Sequence, residues 1–166
     1  MGLSQVVMII TATPLTAKVF ASYGQLLAAK GATPQRCEFA AHMQNLRTWA
    51  RPNLTFMKVA VAGLPAAIDS LERHPWSNQT FIPLNGTRHL VVVCPSTSKG
   101  EPLLSKIRAF EASGSQAINY DANVWHAPRI ALGGTGELIM FRWDDGSKGD
   151  TELRRLEFPI TIQRSR

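Results

Sequence analysis

Asn85-Gly86 stands between two apolar, β-branched runs, QTFIPL and TRHLVVVC, and no other feature narrows the possible folds of this chain so far. An Asn-Gly pair accepts the positive backbone angles of a two-residue turn, so the flanking runs are expected as a tight β-hairpin. The same texture recurs along the sequence. Residues 6–11 form a β-branched run ended by Pro14, and Thr16 is placed to cap a short helix, AKVFASY, that stops at Gly24. Residues 54–62 and 66–74 read as two strands on either side of Gly63-Leu64-Pro65. Beyond Gly114, QAINY, VWHAPRIAL and GELIMFRW read as three more, separated by residues 121–123 and by Gly133-Gly134.

Between these runs, residues 31–53 and 96–102 read as loop, and residues 103–113 fit either a short helix or a strand. Roughly seven to nine short strands result, with no βαβ rhythm. Ten prolines and twelve glycines suit many turns rather than a helical bundle. The expectation is a mainly all-β chain, a jelly-roll β-barrel with a few short helices. No repeat or linker interrupts it, so residues 1–166 are expected to form one domain, and 45% apolar residues supply an adequate core.

The formal charge of +6 raises the question of nucleic acid, which requires Lys and Arg clustered on one surface. They are scattered here. The densest group, Arg154, Arg155, Arg164 and Arg166, lacks interleaved aromatics and reads as a solvated basic tail. A basic protein is also suited to a small anionic substrate. Cys37 and Cys94 show neither a metal spacing nor a disulfide framework. No apolar stretch reaches the ~18 residues of a membrane span, and the opening MGLSQVVMIITA lacks a basic flank. A cytoplasmic protein with no membrane and no nucleic-acid partner is the expectation. The absence of an acid before Glu38, beside Lys18, Lys30 and Arg36, leaves a transit peptide as the alternative.

Within residues 66–74, period-2 alternation puts Ile68, Ser70, Glu72 and His74 on one face and Ala67, Asp69, Leu71 and Arg73 on the other. Glu72 and His74 therefore point the same way. Gln79 opens the next strand and His126 lies in VWHAP. Two readings stay open for this set. It can hold a metal or a polar substrate, or its histidines can be hydrogen-bonded core and rim residues. His42 and His89 read as surface or packing residues, and Glu111 and Asp144-Asp145 as solvated charges beside loops. There is no GxSxG elbow, P-loop or dinucleotide-binding glycine pattern, and Cys94-Pro95 has no nucleophile context, so no organic cofactor is expected.

Across LERHPWSNQTFIPLNG, HLVVVCP, IRAFEASGSQAINYDANVWHAP and RIAL, from about residue 71 to 132, the chain resembles the ureidoglycolate lyases, formerly called ureidoglycolate hydrolases. The opening PLTAKVFASYGQLL is similar to that family's start. The resemblance implies a cupin barrel, commonly a homodimer, that cleaves ureidoglycolate to glyoxylate and urea in allantoin and purine breakdown. It also implies nickel or another divalent metal. A cupin places a His-x-His pair, a carboxylate and a later His around its metal. Glu72 and His74 fall at the pair, Gln79 at the carboxylate and His126 at the last position.

By that resemblance Glu72, His74 and His126 are expected to be catalytic, and the same three with Gln79 to ligate the metal. Arg73, Gln79, Asn119, Tyr120 and Asn123 are expected to bind substrate, although Arg73 alternates to the opposite strand face. Two departures stand out. A Glu and a Gln replace a usual His and Glu. Residues 28–44 are also short of an Asn- and Gly-bearing segment associated with the family's pocket. Alternative readings are a non-catalytic cupin that binds a small anionic metabolite, and a hydrolase that releases ammonia.

Overall fold

A computed structural model of the chain describes residues 8–28, 31, 33 and 36–165. Its strands are β1 (Met8–Pro14), β2 (Gly24–Leu27), β3 (Arg51–Lys58), β4 (Ala66–Arg73), β5 (Gln79–Pro83), β6 (Arg88–Cys94), β7 (Arg108–Ala112), β8 (Ala117–Tyr120), β9 (Trp125–His126), β10 (Ile130–Gly133), β11 (Glu137–Asp144) and β12 (Glu152–Arg164). One short helix, α1 (Ala17–Phe20), and two single 3-10 turns, Ala40–His42 and Leu104–Lys106, complete the elements. No helix among the described residues is long and apolar enough to cross a membrane.

The strands form two sheets. One has the order β10-β6-β7-β1-β12-β4-β9, and β9 also pairs with β6, which closes six strands into a ring. Pairing is parallel where β1 meets β12 and β7, and antiparallel elsewhere in the ring. The second sheet, β2-β8-β5-β11-β3, is antiparallel throughout. This is the cupin-type jelly-roll barrel expected from the sequence.

Two apolar cores follow from the pleat. Ala12, Ile68, Leu71, Leu90, Val92, Ala109, Trp125, Ile160 and Ile162 come from every strand of the ring and fill it. Val91, Val93 and Phe110 point the other way and meet Phe81, Ile118 and Tyr120 of the second sheet, with Phe20 of α1 beside them. Burying a side chain of this size is worth ~1.5–3 kcal/mol, so β6, apolar on both faces, ties the two layers together.

Several elements depart from expectation for identifiable reasons. The Asn85-Gly86 turn forms, with φ of 49° and 71°, and Thr87 N donates to Leu84 O at 2.9 Å. Its flanking strands nevertheless do not pair. Both edges of β5 are taken by β8 and β11, and those of β6 by β7 and by β9 with β10, so the turn is a corner between sheets rather than a hairpin. Of the supposed basic tail, Arg154, Arg155 and Arg164 belong to β12, inserted between β1 and β4, and Arg154 and Arg164 pair with Glu101 and Glu111; Arg166 lies outside the described residues. Charges on the exposed face of β12 mask the alternation that marks a strand.

β12 also carries a bulge. Arg155 pairs with Ser70 and Ile160 with Ile68, so four residues, 156–159, stand opposite Asp69. Ile68 and Leu71, three apart, both enter the ring core, and the expected alternation of β4 slips there. α1 is capped by Thr16, whose Oγ1 accepts from Val19 N at 3.3 Å, but it is shorter than expected and β2 follows at once. β1 runs on through Pro14, and the first two residues of the expected strand 6–11 lie outside the described residues.

The corner at Gly86 is tightly enclosed. A Cβ on Gly114 would come within 2.6 Å of the Gly86 backbone, whereas one on Gly63 would meet nothing within 4 Å. Gly114→Ala is therefore expected to lower stability by ~1–3 kcal/mol, with Gly63→Ala within about 0.5 kcal/mol of the parent, as read from urea denaturation midpoints. Equal midpoints for the two variants would contradict the packing described.

Candidate active site

Closing the ring brings three chemically capable side chains together. Glu72, the penultimate residue of β4, pairs directly with His126 of β9, and Val93 of β6 pairs with His126 on the other flank. His74 follows the end of β4, immediately before Pro75. Each of the three offers a ligand atom within 4.8 Å of the others. His126 Nε2 lies 3.4 Å from Glu72 Oε1, and the two imidazole centroids are 5.4 Å apart.

Backbone carbonyls decide how the rings are oriented. His126 Nδ1 is 2.9 Å from Val124 O, and His74 Nδ1 is 2.8 Å from Asp150 O. A carbonyl only accepts, so both Nδ1 atoms carry the proton and, in the neutral ring, Nε2 presents a lone pair. Both Nε2 atoms are buried without a hydrogen-bond partner. Two imidazoles held by Nδ1 with free Nε2 atoms beside a carboxylate are the donor set of a first-row divalent cation, and this cluster can coordinate one. The amide oxygen of Gln79, also buried and unpartnered, is a further oxygen donor, on β5 of the second sheet.

Charge is distributed to match. The Glu72 carboxyl is held below the usual range chiefly by the hydrogen bond that His126 Nε2–H offers it when that ring is protonated; the cationic charges of His126, His74 and Arg129 add to this, and burial opposes it. Burial pushes His126 down, against the pull of Glu72. At neutral pH the pair is thus an ionised carboxylate facing a neutral imidazole.

Tyr120 of β8 stacks on His126, with centroids 4.3 Å apart and planes 12° from parallel. Gln79 pairs with Tyr120 across β5 and β8, which places it on the same inward face. Two further residues join them, Arg129, which the sequence did not single out, and His89, which it gave as a surface or packing residue. Arg129 donates to the Tyr120 hydroxyl and lies over the rings of Phe81 and Tyr120, at 4.6 and 5.1 Å. His89 is fully buried on the face of β6 that carries Val91 and Val93, with neither ring nitrogen partnered. The apolar run that follows it, Leu90 to Cys94, is the signal for its burial; Arg129 gave no signal beyond being a cation before the apolar stretch Ile130 to Leu132.

Other expected residues are placed elsewhere. Arg73 points to the far side of β4, pairs with Glu152 at 2.7 Å and stacks over Trp125 at 4.7 Å. Asn119 lies on the outward face of β8, where its side chain is consumed by Asn78, Thr80 and Gln25, each at 2.7 Å, beneath the 3-10 turn that ends at His42. Asn123 is exposed at φ 72°, its N–H bonded to His74 O at 2.8 Å.

A loop at residues 145–151 covers the His74 side. Buried Arg47 grips it through Asp145 and Asp150, at 2.9 and 3.0 Å, and Ser77 donates to Asp150. The hollow bounded by His74, Arg142, Asp150 and Thr151 measures only about 20 Å³, room for one water. Entry of a larger molecule from that side requires the loop to move.

Comparison with known proteins agrees with this architecture. The family profile described as "Ureidoglycolate lyase" matches residues 7–163. A protein of Agrobacterium fabrum, named provisionally for that activity, is 36% identical over 154 residues, 92% of this chain and 94% of its own. The Burkholderia mallei (strain NCTC 10229) ureidoglycolate lyase is 36% identical over 144 residues, 82% of each chain. That of Brucella abortus biovar 1 is 36% identical over 131 residues, 74% of this chain and 76% of its own.

The buried imidazoles make stability depend on pH. His89 is pushed by burial from 6.5 to about 3, and His126 is also lowered. In the unfolded chain both take up protons near 6.5, so the unfolded state binds more protons than the folded one below that pH. Their contribution is complete above about 6.5 and is lost as pH falls towards 3. Glu72, also lowered, acts in the same sense below its unfolded value of 4.5. Urea midpoints are expected to decline over this window, and less steeply in His89→Leu. A slope unchanged by the substitution would show that His89 is not buried neutral.

Proposed function

The chain belongs to the ureidoglycolate lyase family, and on that premise we propose that it cleaves ureidoglycolate to glyoxylate and urea at the cluster of Glu72, His74 and His126. The observation that carries this reading is the pair of buried, unpartnered Nε2 atoms that face an ionised carboxylate. The substrate carbon bears a hydroxyl, a carboxylate and a ureido nitrogen. Cleavage moves the hydroxyl proton to that nitrogen as the carbon–nitrogen bond breaks and the carbonyl of glyoxylate forms.

His74 and His126 through Nε2, the Glu72 carboxylate and the Gln79 amide oxygen are the groups that would hold a divalent cation, nickel in this proposal. Bound there, the cation supplies Lewis acidity that makes the substrate hydroxyl easier to deprotonate. Glu72, held ionised by its neighbours, accepts the hydroxyl proton through its free oxygen and returns it to the departing nitrogen. Transfer by a placed group of this kind contributes ~10²–10⁴ in rate. Tyr120, flat against His126, fixes the ring plane, and the Val124 and Asp150 carbonyls fix the tautomers. Gln79 can orient substrate but cannot act as a base.

The proposal extends to a homodimer. Phe56 is 71% and Leu54 60% exposed on β3, and Phe56 stands in register with Ile139 and Ile82 across the outer face of the second sheet. A self-complementary contact would cover that apolar row.

His126→Ala is expected to abolish urea release while far-UV circular dichroism stays unchanged, and chelator treatment followed by nickel to abolish and restore it. Ammonia in place of urea would make the protein a hydrolase. Normal turnover by His126→Ala would refute the assignment. Phe56→Glu is expected to shift the sedimentation coefficient from that of a dimer to that of a monomer; no change would remove this surface from the interface.

A further inference from the structure

Arginines drawn into the interior of this protein are otherwise neutralised. Arg47 meets Asp145 and Asp150, and Arg73 meets Glu152. Arg129 has no carboxylate partner among the described residues. Its guanidinium is instead held by uncharged groups, over the Phe81 and Tyr120 rings and against the Tyr120 hydroxyl. Nε and Nη1 are buried with nothing to donate to. The side chain is half-buried and the anion acting on it, Glu72, makes no ion pair with it, so these two donors are left without an acceptor, a costly arrangement that an anionic ligand would relieve.

The surroundings point to where that anion sits. Tyr120, which orients Arg129, is the residue stacked on His126, so the guanidinium lies one ring away from the Glu72–His126 pair. His89 and Gln79 face the same space between the sheets with unpartnered polar atoms. The Tyr120 ring thus links the cluster of Glu72, His74 and His126 to a guanidinium that makes no ion pair among the described residues.

We propose that Arg129 binds the carboxylate of a small 2-hydroxy acid and thereby turns its hydroxyl-bearing carbon towards Glu72 and His126. Naming that acid as ureidoglycolate rests on the function proposed above; the requirement for a carboxylate rests on Arg129 alone. Arg129 is then the specificity determinant that separates a hydroxy acid from its neutral amide. The substrate-binding role that the family resemblance gave Arg73 passes to a residue on the inner side, since Arg73 is held by Glu152.

Glycolate and its neutral counterpart glycolamide are the probes, and binding to the full chain is measured by calorimetry with nickel present. Glycolate is expected to bind and glycolamide not. Arg129→Gln is expected to weaken glycolate binding roughly tenfold to a hundredfold, with nickel stoichiometry and melting temperature maintained. Arg129→Lys, which keeps the charge but not the fork of donors, is expected to fall between, and serves should the Gln variant not fold. In turnover the Gln variant is expected to raise KM for ureidoglycolate more than it lowers kcat. Unchanged glycolate affinity in Arg129→Gln, or equal binding of glycolamide by the parent, would overturn the inference. Arg129-dependent glycolate binding by a parent protein that releases no urea would uphold it while removing the lyase reading.

Discussion

β9 is two residues long, yet the barrel and the site both depend on it. Trp125 and His126 pair with β6 on one side, and His126 pairs with Glu72 of β4 on the other, which converts an open sheet into a ring. The alternation of side chains across the strand then sends Trp125 into the ring core and His126 outward into the space beneath the second sheet. One backbone constraint therefore builds the apolar interior and the reactive cluster together. A substitution that frees β9 would lose both at once.

Support for the cluster comes from segments distant in sequence. His74 is oriented by a carbonyl at Asp150, whose side chain is held by Arg47, Ser77 and the Trp76 N–H. A loop that closes over the site thus also fixes one of its imidazoles. Any movement of that loop away from β4 would separate His74 Nδ1 from its acceptor, so access and ring orientation share a single hydrogen bond. On the outward face of the second sheet, Asn78, Thr80, Asn119 and Gln25 form a satisfied polar network that leaves no free donor, and the reactive side of that sheet is the opposite face.

Local chemistry was legible in the sequence where it is local. The Asn85-Gly86 turn, the Thr16 cap and the shared direction of Glu72 and His74 follow from backbone preference and period-2 geometry. Partner choice was not legible. Whether Asn85-Gly86 joins a hairpin or a corner depends on which strands already occupy the edges of β5 and β6, and those strands lie tens of residues away. β12 was hidden because its arginines meet Glu101 and Glu111 from other elements, so its charges resemble those of a solvated tail. For Asn119 the strand was legible but not which of its faces meets the ring.

Arg129 shows why the rest of the site escaped a reading by motif. Its identity carries no pattern, and its place after Pro128 conveys only that the chain bends there. Its significance arises from what is missing around it, since a guanidinium acquires a functional reading only when every other interior cation is seen to be neutralised and this one is not. The same holds for the two free Nε2 atoms, whose Nδ1–H groups are already spent on carbonyls. Unsatisfied polar atoms weaken a fold, and those between the two sheets belong to groups of complementary kinds, imidazole lone pairs beside a carboxylate and the donors of a guanidinium. A molecule carrying an acidifiable hydroxyl next to a carboxylate would meet both needs at once, so the proposed substrate and the proposed role of Arg129 draw on one set of unpartnered atoms.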